Sequence, residues 1–187
     1  MCPETNKINQ LIDELEQIIR NPHSGLPEEA FLLATRITPM VNVDLLIRNN
    51  KNQTLLTWRG GNYYSPGWHI PGGIIRYKEN MSDRINHVAR TELGVDVEFD
   101  AQPILISEII RSPKILNRGH FISFLFECRI KECLLRQEGK ENFRWFSECP
   151  ENIIPVHNSY RDVIDRTKVK SEYLTDFGKN IIIFNGL

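Results

Sequence analysis

Two stretches, Gly73-Ile74-Ile75-Arg76-Tyr77-Lys78-Glu79 and His87-Val88-Ala89-Arg90-Thr91-Glu92-Leu93-Gly94-Val95, separated by seven residues, decide how this chain folds. Residues 82–93 have helical spacing, with Ile85, Val88, Ala89 and Glu92 on one stripe, and Gly94 is placed to end the helix. Pro71-Gly72-Gly73 reads as a turn leading into this unit. On an apolar stripe Glu92 points inward, where an unpaired carboxylate is costly. A metal ion or a basic partner would remove that cost.

Upstream, Val41, Val43, Leu45 and Ile47 alternate with Asn42, Asp44 and Leu46, Asn49-Asn50-Lys51-Asn52 reads as a turn, and Thr54 to Trp58 is extended again. That pattern predicts a β-hairpin. Earlier still, Ile8, Leu11, Ile12, Leu15, Ile18 and Ile19 mark one face of a helix that stops at Asn21-Pro22. Pro27 followed by Glu28-Glu29 starts a second helix over residues 27–36. Downstream come extended stretches at 102–110 and 119–130, a polar loop at 136–142, a short strand at 143–146 and a helix at 158–166. Strands interleaved with a few helices predict an α/β or α+β sandwich.

With 187 residues the chain can bury a core without disulfides or structural zinc. Its 23 Lys+Arg against 24 Asp+Glu argue against a surface that grips nucleic acid or an anionic membrane. No apolar run reaches the ~18 residues of a membrane helix, and MCPETNK lacks the plan of a secretory signal, so a soluble, cytoplasmic protein is expected. Cys2, Cys128, Cys133 and Cys149 form no CxxC pair and read as free thiols.

The two opening stretches resemble a degenerate Nudix box: Gly, five residues, Glu, seven residues, then Arg-Glu-apolar-any-Glu-Glu-any-Gly-apolar. Gly73, Glu79, Ala89, Glu92, Gly94 and Val95 match, whereas His87, Val88 and Thr91 replace the Arg and two of the Glu. Among Nudix proteins, the loss of those two carboxylates is similar to the GDP-mannose mannosyl hydrolase branch, which cleaves a sugar C–O bond. Similarity to that branch continues in Thr38-Pro39-Met40-Val41 with Asp44, in Leu55-Leu56 with Arg59, in Gly67-Trp68, in Phe143-Arg144-Trp145 and in Val156-His157 ahead of Arg161. The resemblance implies a Nudix-type α/β/α sandwich with a mixed β-sheet over residues 38–166, flanked by a helical extension at 1–37 and a tail at 167–187.

It also implies an Mg²⁺- or Mn²⁺-dependent hydrolase whose small-molecule partner is a nucleoside diphosphate, most simply a nucleotide sugar. Diphosphate oxygens repel attacking water until a cation and donors neutralise them, and Mg²⁺ takes hard oxygen ligands, commonly one or two carboxylates plus phosphate and water. Gly73 and Glu92 fall on the family's metal ligands, Arg59 on an arginine near the diphosphate, and Asp44 on a strand aspartate near the substrate. Other branch residues are absent: Ile74, His87 and Phe121 replace an arginine, an arginine and a tyrosine, and Gly139-Lys140 stand where the branch has a Gln ligand and a His base. Glu138, His120 and His69 are the replacement candidates for that base, and Glu138 also for the third metal ligand. Arg76 is a candidate phosphate clamp.

Each has a structural alternative. Glu92 can pair with an arginine, Glu79 can favour the helix dipole, Glu138 can be plain loop, Arg59 can be a surface arginine, and His120 can be a satisfied strand histidine. Trp68, with Tyr63 and Tyr64, either stacks on a base or anchors packing. The flanks, with their amphipathic helix and the Ile181-Ile182-Ile183-Phe184 tail, read as docking or dimerisation elements of a homodimer.

Overall fold

The computed structural model describes residues 3–61, 65–112, 114, 117–130, 142–165 and 179–183. Helices α1 (Pro3–Ile18) and α2 (Glu28–Ile37) precede strands β1 (Met40–Ile47), β2 (Thr54–Arg59), β3 (Gly67–His69) and β4 (Gly72–Ile74). Helix α3 (Met81–Val88) and a π-helical turn (Ala89–Leu93) lead to β5 (Glu98–Phe99), β6 (Leu105–Ile110), β7 (His120–Arg129) and β8 (Phe143–Phe146). A 3₁₀ turn (Pro155–Tyr160), α4 (Arg161–Ile164) and β9 (Lys179–Ile183) follow. The described strands form two sheets, β4-β1-β7-β6-β9 with β5 also on β7, and β3-β2-β8. The β1/β7 pairing is parallel and the others antiparallel, the mixed sheet of the predicted α+β sandwich.

The expected hairpin does not form. Its turn is present, with Asn49 Oδ1 accepting the N–H groups of Lys51 and Gln53, and Asn52 in the left-handed region at φ 61°. Beyond the Arg48/Thr54 bridge the strands part into different sheets. Both edges of β1 are already taken, by β4 and β7. Strand β2 is also buried on both faces, with Leu55 in one core and Leu56 in the other.

The first core joins Val43, Leu45 and Ile47 of β1 and Leu55 to Ile85, Val88, Ala89 and Leu93 of the α3 unit. An isolated eight-residue helix is marginal in water. Packing therefore holds α3, each large apolar side chain contributing roughly 1.5–3 kcal/mol on burial. The π-turn departs from the single stripe read in the sequence. It carries Leu93 into the core and leaves Glu92 half-buried at the core edge, and Gly94 ends the turn at φ 73°. The second core joins Leu46, Leu56, Trp68, Ile70, Leu105, Leu125 and Tyr160. Cys128 is buried and Cys149 half-buried, both as free thiols. The tail segment Lys179–Ile183, read as a docking element, lies in the protein's own sheet against β6.

Two glycines let β4 lie close to its neighbours. A Cβ on Gly72 would overlap the Asp44 carboxylate and come within 2.9 Å of the Val43 carbonyl oxygen, and one on Gly73 would lie 2.9 Å from Val88 Cγ2. Overpacking of this kind costs roughly 1–3 kcal/mol. Gly72→Ala, which meets backbone and a buried carboxylate, is expected at the upper end, Gly73→Ala lower, and Gly60→Ala, with nothing within 4 Å, near zero. Urea unfolding midpoints of the three variants check this order, and equal midpoints would refute the close-approach account.

Candidate active site

A cavity of about 470 Å³ opens on the face of the large sheet that carries Met40, Asn42 and Asp44 from β1 and Phe121 and Ser123 from β7. Arg59, Gly72, Gly73, Arg76 and His157 also line it. Four of the sequence candidates, Arg59, Arg76, Asp44 and Gly73, therefore meet at one cavity. Glu92 lies directly behind it: its Oε1 accepts the N–H of Gly72 at 3.3 Å, and Gly72 is part of the wall.

Around Glu92 the hydrogen bonds fix an order. Thr57 Oγ1 donates to Glu92 Oε2 at 3.1 Å, and a hydroxyl carries a single proton, so the same oxygen accepts from His69, whose Nε2 is 3.1 Å away. His69 Nε2 also lies 3.5 Å from Glu92 Oε2. Glu92 thus meets a histidine and a hydroxyl, where the sequence alternative was an arginine.

This donor set fits a hard divalent cation such as Mg²⁺. It has one carboxylate that retains about a quarter of its exposure, beside a backbone turn at the cavity wall. A carboxylate of this kind, completed by water and phosphate oxygens, suits Mg²⁺. Glu138, Gly139, Lys140, Tyr63 and Tyr64 lie outside the described residues.

Two candidates are displaced. His120 alternates with Phe121 and Ser123, so it points to the opposite face of the sheet, and its Nε2 lies 3.0 Å from Glu108 Oε1. A base role at the cavity is excluded for it by that geometry. Trp68 is a core residue at 9% exposure, edge-on to Trp58 at 5.2 Å and to Phe146 at 4.9 Å, with the Arg144 guanidinium 5.5 Å over its ring. It is a packing anchor and does not line the cavity.

Glu79 has a different role from the helix-dipole one. It accepts the Arg76 N–H at 2.8 Å and the Arg84 Nε and Nη2 at 2.9 and 2.7 Å, pinning the loop to α3. Burial pushes its carboxyl up, but these donors outweigh burial and hold it below the usual carboxylate range.

Asn42, Ser123 and His157 also line the cavity and escaped the sequence reading as site residues, as did the partners that hold Asp44. Asp44 is buried, accepting from Ser123 Oγ, Tyr160 OH and Asn42 Nδ2. Burial raises its pKa despite these neutral donors. Among the described residues, Asn42 Oδ1 is a buried acceptor without a hydrogen-bond partner. A legible signal existed: polar residues at positions 42, 44 and 123 recur with period two inside apolar strands. His157 accepts the Ile70 N–H on Nδ1 at 3.0 Å, so its neutral ring carries the proton on Nε2. Desolvation, then His69 and Arg59, hold its pKa well below 6.5.

Residues 38–166 match the NUDIX domain family, and the chain belongs to that family. Nudix hydrolases generally use a divalent metal such as Mg²⁺. A relative, the low-salt glycan biosynthesis protein Agl8 of Haloferax volcanii, is 25% identical over 147 residues, covering 77% of this chain and 94% of that protein. The fold is similar to that of the MutT protein from Methanosarcina mazei Go1, at 18% identity and TM-score 0.52, covering 69% of this chain and 93% of that one. It is also similar to the MutT NUDIX hydrolase from Burkholderia pseudomallei, at 18% identity and TM-score 0.50, covering 62% and 90%.

The buried neutral His157 has a consequence for stability. Its pKa is depressed on folding, so its contribution is fully present above the unfolded value of 6.5 and is lost as pH falls below it toward the folded value. Stability is therefore expected to fall progressively as pH drops through and below 6.5. Thermal melts are expected to show this decline in the wild type and a flatter profile over that window in His157→Gln. An unchanged slope in the variant would assign the decline to other groups.

Proposed function

We propose that this protein is an Mg²⁺-dependent hydrolase of a nucleoside diphosphate-linked substrate, most simply a nucleotide sugar such as GDP-mannose, cut at the glycosyl C–O bond. One observation carries the reading: Arg59 and Arg76 converge on the cavity whose Gly72–Gly73 wall backs onto Glu92. Planar guanidinium groups suit diphosphate oxygens. The retained Glu92 beside Val88 and Thr91, and the similarity to an archaeal glycan biosynthesis protein, support a sugar-linked substrate.

Glu92 and the Gly73 backbone would hold the metal, with Glu138 as the proposed third ligand. When bound, the metal supplies charge neutralisation at the diphosphate. Arg59 and Arg76 bind and orient the diphosphate, and the Thr57 hydroxyl and His69 keep the Glu92 carboxylate aimed. With His120 turned away, and His69 buried off the cavity and donating to Thr57, Glu138 remains as the candidate to take the proton from water. The commitment of His120 to Glu108 also favours a second reading, a nucleotide-binding protein with weak turnover.

A panel of nucleotide sugars and nucleoside di- and triphosphates with Mg²⁺ or Mn²⁺ separates the two. Turnover is expected, with Glu92→Gln lowering it at least 100-fold. Turnover that survives this change would refute the metal site, and a melting-temperature shift without turnover would select the binding reading. In ¹⁸O water, label in the sugar supports attack at C1, whereas label in phosphate overturns it in favour of P–O cleavage.

Assembly as a homodimer is proposed through α1. Ile8, Leu11, Leu15 and Ile18 follow heptad spacing and are 36–69% exposed. In an antiparallel pair Ile8 meets Ile18 and Leu11 meets Leu15 of the second copy, with Lys7 against Glu14. Light scattering is expected to give a dimer mass, reduced to monomer in Leu11→Glu. A wild-type monomer would overturn the pairing.

A further inference from the structure

The cavity has a second wall, built from residues that lie before the family match. Leu26, Phe31 and Ala34 line it together with Met40, Ile109 and Phe121 of the sheet. This segment is fastened at both ends. At one end the His23 ring lies edge-on to Tyr77 at 6.2 Å, and Gly25, at φ 108°, backs onto the Arg76 side chain. At the other, the Arg118 N–H donates to Thr35 Oγ1 at 3.0 Å, and the Arg118 guanidinium stands 4.7 Å over the Phe31 ring. The expected docking element is thus, over residues 22–37, a wall of the cavity.

The chemistry divides along the cavity. Arg59 and Arg76 sit beside the glycine turn, whereas the α2 side offers apolar surfaces and one aromatic ring with a guanidinium on its face. We propose that residues 22–37 complete the substrate site and that the Leu26/Phe31/Ala34 wall takes the nucleobase of a nucleoside diphosphate, leaving the diphosphate to the arginines. A flat, apolar-faced heterocycle fits such a slot. Selectivity among nucleotides then comes from the N-terminal segment. This assignment rests on the proposed diphosphate site.

Isothermal titration of the full chain with Mg²⁺ and either pyrophosphate or each of GDP, ADP, UDP and CDP tests it. Phe31→Ala removes the wall and Ala34→Trp fills the slot while adding apolar surface; melting temperatures report folding of both. Each variant is expected to weaken nucleoside diphosphate binding at least tenfold and to leave pyrophosphate binding within twofold. Wild-type affinity for nucleoside diphosphates in a folded Ala34→Trp protein would overturn the nucleobase slot while the diphosphate reading stands. Equal losses for pyrophosphate and nucleotides would also overturn it. Wild-type protein that binds pyrophosphate but no nucleoside diphosphate better would do the same. Absence of binding to any probe, pyrophosphate included, would refute the diphosphate site, and the slot with it.

Discussion

The close approach of β4 to its surroundings is the constraint from which the site follows. With no side chains at positions 72 and 73, the strand fits between a buried carboxylate on one face and Val88 and Arg84 of α3 on the other. That fit brings the Gly72 N–H to Glu92 and makes the same glycine part of the cavity wall. A helix standing a methyl group farther away would separate the carboxylate from the pocket it serves.

Two carboxylates beside this strand respond to burial in opposite ways. Desolvation is the largest influence on each, and the donors decide the sign. Glu79 meets a guanidinium and a backbone N–H, and its pKa is held below the usual Glu value. Asp44 meets only neutral hydroxyl and amide groups, which satisfy its oxygens without compensating the lost hydration. The cavity floor is therefore a site where charge is expensive, while the cationic side chains of Arg59 and Arg76 line the same cavity.

Much of the secondary structure was legible. Helices α1 and α2, the two long strands and β8 lie where periodicity puts them, and the box residues lead to the right fold. The failures share a cause. Alternation in β1 and β2 shows which side chains turn which way, but not that β1 has no free edge for a hairpin. The apolar stripe of residues 82–93 does not reveal that a π-turn shifts its last members. Trp68 and His120 were read as site residues from their chemistry, and only pairing and face decide that one is core and the other turned away. The partners of Asp44 come from positions 79 and 116 residues along the chain, a separation beyond any local pattern.

That separation also governs the order in which the molecule is made. Strand β1 pairs in parallel with β7, Met40 opposite Phe121 and Ile47 opposite Cys128, so the centre of the sheet closes a loop of about eighty residues. Contacts so distant in sequence pay their loop entropy before any pairing repays it, which slows folding. Asp44 and Ser123 meet only through this pairing. The α3 unit packs against β1 and β2 across shorter sequence separations than the β1/β7 pairing spans.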